Sequence, residues 1–441
     1  MKERLQICAL RLPSAVRLFW ALRLPSAVRL FWALRLPCTL LLLCWLLAPL
    51  CLYTPAAQAC ELPHPATQTH SSFVPGKGLK VVSGDGRFAL ATRLRAQFLY
   101  SLMEGQSAPT HLFELRRARA VFNGHGFGTD KRFKIELAFS PRDLGYEPGQ
   151  GIAHVPLLSW FVDLGDSRNL RVKAGQYKVP FSRQRVVSSG NLQLVDRSIA
   201  NAEFNLDRDT GVEIHSKDLG GLDLLDYHLG VFMNRGRNLQ APTNVSPMVL
   251  ARLELTPFGR FRDYSEADLK RMKKPKLALG VAAGWLQGAV KDRGILGAAY
   301  PEGVTGDTLA LTADVVFKFR GLSILGEFFY RDVTIQGAPA GDPNNPDAAV
   351  APPAARDGTG WVLQAGYLLP QRLLEIAARV GQVTPADASS SLPGRGEVGG
   401  GISWYPGGHP WKIQADVFHL WDEGRFDEGE LRFRLQLQAG L

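Results

Sequence analysis

The chain has 441 residues, 46% of them hydrophobic and 21% charged, and a formal net charge of +10 at pH 7. A mean hydropathy of −0.05 excludes a polytopic helical membrane protein, and the apolar content excludes a polar disordered chain. These totals do not separate a soluble globular protein from a membrane β-barrel, whose apolar residues alternate rather than cluster.

Residues 1–59 read as a secretory signal peptide. Lys2, Arg4, Arg11, Arg17, Arg23, Arg29 and Arg35 stand against the single Glu3, an apolar run follows from Thr39 to Tyr53, and Ala57-Gln58-Ala59 supplies an A-x-A cleavage site. The apolar run, broken by Pro49, is short for a membrane span. Leu10 to Ala21 recurs identically from Leu22 to Ala33. Two readings fit the repeat, a basic amphipathic membrane-binding unit or a tandem duplication lengthening a tolerant n-region. Pro13, Pro25 and Pro37 interrupt any continuous helix through it. All five cysteines lie at or before Cys60, so the processed chain keeps one, either free or lipidated at its new terminus. Removing seven basic residues and one acidic residue leaves 44 basic against 40 acidic. Most of the basicity therefore belongs to the part that is removed.

Residues 60–86 form a polar lead expected in the periplasm. From about Arg87 to Leu441 the pattern is alternation. Phe88, Leu90, Leu94, Phe98 and Tyr100 share one face against Arg93, Arg95 and Gln97, and Leu431, Phe433, Leu435, Leu437, Ala439 and Leu441 alternate with Arg432, Arg434, Gln436 and Gln438. Side chains alternate faces along a strand, so each run is a ribbon with one apolar and one polar side. About sixteen runs are predicted, starting near Arg87, Leu112, Lys131, Val155, Leu170, Thr210, Leu225, Met248, Lys276, Thr308, Leu322, Thr359, Leu373, Glu397, Trp411 and Glu430. Most have about 8–12 residues, enough to cross a bilayer at a tilt. The second run fits ambiguously because both faces carry charge, and the run from Glu397 is glycine-rich.

With a periplasmic amino terminus, the long connections face outward: Pro141–His154, Tyr177–Asp209, Gln287–Gly306 and Asp332–Gly358. Arg320-Gly321 and Pro370–Arg372 make tight inner turns. Phe258–Pro275, charged and helix-prone, is the inward exception. A soluble sandwich would need something to cover sixteen apolar faces, and no segment of that size remains. The fold class expected is all-β, a transmembrane antiparallel β-barrel of about sixteen strands with a long third outer loop. Tyr100, Trp160, Trp285, Phe329, Tyr330, Tyr367, Trp404, Tyr405, Trp411 and Trp421 are candidates for interfacial girdles.

In a barrel the polar face lines a water-filled lumen. Its early part is cationic, with Arg93, Arg95, Arg117, Arg119, Arg132, Lys134, Arg171 and Lys173 inward by parity against Glu136 alone. A one-sided basic wall concentrates anions, and arginine's planar fork suits carboxylate or phosphate. In later strands Arg252, Lys276, Lys318, Arg379, Arg432 and Arg434 face Glu254, Asp314, Glu327, Glu375 and Asp416. The third outer connection, folded inward, would bring Lys178, Arg183, Arg185, Ser188 and Ser189 to a constriction.

The run from Val172 to Ser182 (VKAGQYKVPFS), then Ser188-Ser189, Asp196-Arg197-Ser198 and Arg208 to Val212 (RDTGV), with Arg116-Arg117-Ala118-Arg119, Gly366-Tyr367 and Leu374 to Arg379, resembles the phosphate-selective porin O and P family. That resemblance spans nearly the whole mature chain. It implies a sixteen-stranded outer-membrane barrel, usually trimeric, whose third outer loop constricts an anion channel. It also adds Arg116 to the candidate anion-binding residues and supports Arg117, Lys178, Arg183, Arg185, Ser188 and Ser189. The partners expected are outer-membrane lipid, small anionic solutes with phosphate or polyphosphate among them, two further copies of the chain and the barrel-assembly machinery. Neither nucleic acid nor a cofactor is expected.

No H-E-x-x-H, G-x-S-x-G or C-x-x-C motif appears, and the nine histidines are scattered. Gly124 to Gly128 (GHGFG) imitates a nucleotide loop but lies between two strands with no following helix, which makes it a hairpin turn. The function expected is passive diffusion of small anions through an outer-membrane porin. The alternative is a barrel serving as an adhesin or a lipid-modifying enzyme.

Overall fold

The computed structural model describes residues 68–147, 151–238, 246–261, 264–339 and 351–441. The expected signal peptide and Cys60 lie outside the described residues. Eighteen strands form one sheet. Two of them, β1 (His70–Val74) and β2 (Gly78–Val82), make a hairpin within the segment read as a polar periplasmic lead. The other sixteen are β3 (Ala89–Glu104), β4 (Thr110–His125), β5 (Lys131–Ala138), β6 (Leu157–Leu164), β7 (Arg171–Lys178), β8 (Arg208–His215), β9 (Leu225–Phe232), β10 (Met248–Leu255), β11 (Lys276–Ala289), β12 (Thr305–Phe319), β13 (Leu322–Gln336), β14 (Gly358–Leu368), β15 (Leu374–Pro385), β16 (Arg395–Trp404), β17 (Lys412–Asp422) and β18 (Glu430–Gly440).

Each of the sixteen pairs antiparallel with its sequence neighbours, and β18 pairs with β3 from Leu431 opposite Glu104 to Gly440 opposite Arg95. The sheet therefore closes on itself, leaving no lateral edge among the barrel strands. Beyond the end of β18, Leu441 exchanges backbone hydrogen bonds with Leu94 at 2.9 and 3.0 Å. Strand β2 then takes over the same edge of β3, with Leu79 to Val82 opposite Thr92 to Ala89. The amino-terminal hairpin thus extends the barrel seam.

Alternation dictates which residues face in. On β12, Leu309, Leu311, Ala313, Val315 and Phe317 point outward, while Thr308, Thr312, Asp314 and Lys318 are buried inside. The tightest inner turn, Arg320-Gly321, joins Phe319 and Leu322 with φ of 51° and 97°. Two successive positive φ values match the twist of the flanking strands, and glycine takes the second without strain. The GHGFG segment is a turn as well, with Gly126 donating to the Lys131 carbonyl.

Two expectations are corrected. Phe329 and Tyr405 do not join an outer girdle. Phe329 is fully buried on the inner side, its ring stacked on Phe204 at 5.8 Å, and Tyr405 is buried with its hydroxyl donating to Glu375. Trp160, Trp285, Tyr367, Trp404 and Trp411 do face outward. Segment 256–275 forms no helix among its described residues. Its helix-prone charges serve instead as lumen contacts. Glu266 is buried and accepts from Gln193 N and Gln364 Nε2, and Lys318 donates to the Ser265 and Ala267 carbonyls at 2.8 and 3.0 Å.

Candidate pore and its lining

Segment 179–207, between β7 and β8, runs into the lumen instead of over the rim. It carries two short helices, α1 (Arg183–Val186) and α2 (Ile199–Phe204), capped by the Ser182 and Ser198 hydroxyls. Its outer half is fixed by an apolar cluster in which Tyr177, Val179, Phe181, Phe204 and Leu206 pack against Phe232, Met248, Leu250, Leu286 and Phe329. The tip is fixed by polar contacts to the opposite wall. Gln193 donates to Ser323 and Glu375 at 2.8 and 2.6 Å, Lys412 donates to the Leu192 carbonyl, and Val195 N to Asp416. Segment 256–275 enters from the other end and meets it through Glu266, which also accepts from Gln184. The two segments together fill the lumen along β10–β17.

Charges on that filled side cancel. Arg252 and Arg183 both bind Asp314, at 2.7 and 2.9 Å, and Arg183 also binds Glu254 at 2.8 Å. Arg379 pairs with Glu397 at 2.9 Å and Arg434 with Asp416 at 2.8 Å. Breaking such a buried pair by removing one partner costs about 3–5 kcal/mol. Arg183 is thus an anchor of the loop, and Arg185 likewise binds Asp207. At the loop's outer end, Glu203 on α2 accepts from Arg331 and Arg356 at 2.6 and 2.9 Å. Burial pulls the Glu203 carboxyl up, but the Arg356 and Arg331 guanidiniums outweigh it and hold it at about 2.

Open space remains against the early strands. A cavity of about 410 Å³ is lined by Arg93, Arg95, Arg119, Lys134, Glu136, Lys173 and Lys178, with Ser159, Ser188, Ser189 and Gln438 as neutral donors and acceptors. Gly76 of the amino-terminal hairpin and His409–Pro410 of the 405–411 turn line it too, together with Leu441. Six cations thus face one acidic side chain. Lys134 and Arg119 both bind Glu136, at 2.8 and 3.2 Å, and Lys173 binds Glu213 at 3.2 Å. Arg95 instead donates to the Ser188 and Ser189 hydroxyls at 3.2 and 2.9 Å. Lys178 reaches the Arg185 and Val187 carbonyls at 2.6 and 3.0 Å, the end of α1 where carbonyl dipoles point at a cation. A second cavity of about 90 Å³ shares Lys173, Lys178 and Val186 with the first and is also lined by Arg183, Glu213, His228 and Arg252.

The other candidates stand elsewhere. Arg132 is exposed and donates to the Thr129 carbonyl. Arg171 is pinned to Asp163 at 2.8 Å near the inner end. Arg116 and Arg117 lie outside the cavity lining, and strict alternation would put them on opposite faces. A β-bulge resolves the ambiguity of the second run: Gln97 pairs with Arg117 and the next residue, Phe98, with Leu115, so Arg116 is the extra residue. Both guanidiniums bind the Asp196 carboxylate from opposite oxygens, Arg117 at 3.2 Å. What sequence reasoning missed is the carboxylates that reach these arginines from loops, Asp196 and Asp143. The Asp-Arg-Ser triplet was visible, but its partner lies 80 residues away.

A closed sixteen-stranded barrel with an inward third loop and a charged lumen is the architecture of a bacterial outer-membrane channel. Residues 88–249 match the family of phosphate-selective porins O and P, which bears out the resemblance over the strands that carry the basic wall. No curated protein matches the chain. Among solved structures, a loop L8 deletion mutant of the outer-membrane protein OmpT of Vibrio cholerae is similar in fold, at 9% identity and a TM-score of 0.52 over 80% of this chain and all of that one. The channel DcaP of Acinetobacter baumannii (10% identity, TM-score 0.49, 80% and 97% covered) and OccK1 of Pseudomonas aeruginosa (13%, 0.42, 80% and 98%) are also similar. The barrel fold and the family match over residues 88–249 together support an outer-membrane porin channel.

Proposed function

We propose that this porin passes small anions in preference to cations, by passive diffusion along the wall formed by β3–β7. The observation that carries the reading is the 410 Å³ cavity with six basic side chains and a single acidic one. Such a wall raises the local anion concentration and lowers the barrier to anion entry. Arg93 and Arg95 should matter most, because no carboxylate lies within ion-pair distance of either among the described residues. Inorganic phosphate is among the solutes we propose, since arginine beside paired hydroxyls is chemistry that suits an oxyanion.

We also propose a homotrimer whose contact face is β5–β10. Each of those strands has eight residues, below the roughly 9–11 that span a bilayer at a tilt. A second copy would spare that short wall from facing full-thickness hydrocarbon.

Zero-current potentials of the purified protein in planar bilayers, under a potassium chloride gradient, test the anion reading. Anion preference is expected in the parent chain, and Arg93→Glu with Arg95→Glu should move the potential toward cation preference. A cation-preferring parent, or an unmoved double variant, overturns it.

A further inference from the structure

Arg116 and Arg117 of β4 lie outside the cavity lining while Arg119 borders it, and the aspartates that bind all three come from two separate outer loops. The Asp196 carboxylate, on the inward segment 179–207, places one oxygen on Arg116 and the other on Arg117. Its position is fixed from behind, because Arg379 donates to the Asp196 carbonyl at 2.8 Å and Val195 N is held by Asp416 at 3.0 Å. Asp143, on segment 139–156, makes a two-pronged contact with Arg119, Nε to Oδ2 at 2.9 Å and Nη2 to Oδ1 at 2.7 Å. This layer adjoins the 410 Å³ cavity directly. Arg117 donates to Gln97, which donates to the carbonyl of Ser189 on the cavity lining. On its other side, Glu114 lies 3.9 Å from both Arg116 and Arg142, and the Arg142 side chain is exposed.

Two guanidiniums converging on one carboxylate, each on its own oxygen, form a cradle for a small oxyanion. We propose that Asp196 is a tethered anion occupying that cradle. Asp143 does the same for Arg119, so the layer is close to neutral although the cavity beside it is basic. Selectivity at this level is therefore set by two loop aspartates rather than by the number of arginines. With Asp196 neutralised, the Arg116–Arg117 pair becomes a site for a free oxyanion, a carboxylate or inorganic phosphate. The inference rests on the anion-channel reading for its meaning but not for its test.

Asp196→Asn keeps the shape and removes the charge. It should raise the anion-to-cation permeability ratio in planar bilayers by roughly two- to fivefold, the effect of one unit charge acting across about 7 Å of water. It should also make chloride current sensitive to added inorganic phosphate at concentrations that leave the parent unaffected. Asp196→Glu, which keeps a carboxylate, should resemble the parent, and Asp143→Asn should shift the ratio in the same direction as Asp196→Asn. An Asp196→Asn channel with unchanged ratio and no phosphate sensitivity overturns the proposal. So does an Asp196→Glu channel that shifts as far, since loop distortion would then be the cause. If Asp196→Asn fails to fold, Asp196→Ser is measured against the same outcomes. A parent that prefers cations sinks the anion reading alone, because the change on neutralising Asp196 is read relative to that parent.

Discussion

Arg379 on β15 and Glu397 on β16 pair at 2.9 Å with both side chains wholly excluded from solvent. The contact is more than a bond between neighbouring strands. Arg379 also donates to the Asp196 carbonyl at 2.8 Å, and Glu397 accepts from Ile199 N at 3.1 Å. One ion pair therefore anchors the inward loop at two points, just before and at the start of α2.

Removing the arginine leaves a carboxylate buried without its partner. Arg379→Ala should destabilise the folded barrel by about 3–5 kcal/mol. The double change Arg379→Met with Glu397→Gln, which removes both charges, should recover most of that. Urea unfolding in detergent micelles, followed by tryptophan fluorescence, measures both. A double variant no more stable than the single one would show that the loop anchor, rather than the unpaired charge, dominates.

Glycine on the inner face of β14 makes room for the same loop. A side-chain carbon at Gly360 would lie 2.6 Å from the Phe204 ring, and one at Gly366 would lie 1.9 Å from the Gln193 amide nitrogen. Gly360→Leu should therefore push α2 off the wall and loosen the apolar cluster around Phe329, while strand pairing persists. Single-channel conductance should rise and its open-state noise increase. An unchanged conductance would mean that the loop accommodates the leucine without moving.

These contacts mark where the sequence stops being legible. Alternation locates all sixteen strands because a period of two is local, and one apolar face per strand must meet lipid. The arginines of β3 to β5 face inward by the same parity. Which of them keep their charge unpaired is decided by groups far along the chain, such as Asp196 against Arg116 and Glu213 against Lys173. The bulge at Arg116 also breaks the parity rule at the point where it mattered most. Phe329 and Tyr405 depart from the girdle expectation for a related reason. An aromatic near a strand end suits a girdle, but a lumen filled by two re-entrant segments needs apolar and hydroxyl partners on its inner wall as well.

The outer end of the loop should resist acid. Glu203 is held at about 2 by Arg356 and Arg331 against burial, below the ordinary 4.5 of a glutamate. A depressed carboxyl stabilises the folded state fully above the ordinary value, and the contribution fades as pH falls toward 2. The contribution is on the order of 3 kcal/mol from that difference, so the contact should survive at pH 4, with most of it lost near pH 2. Open-channel noise in the parent should therefore stay level between pH 7 and pH 4. Glu203→Gln should be noisier than the parent at pH 7, because Arg331 and Arg356 would be left without their shared carboxylate. A parent whose noise climbs steeply between pH 6 and pH 5 would place control of the loop on another group.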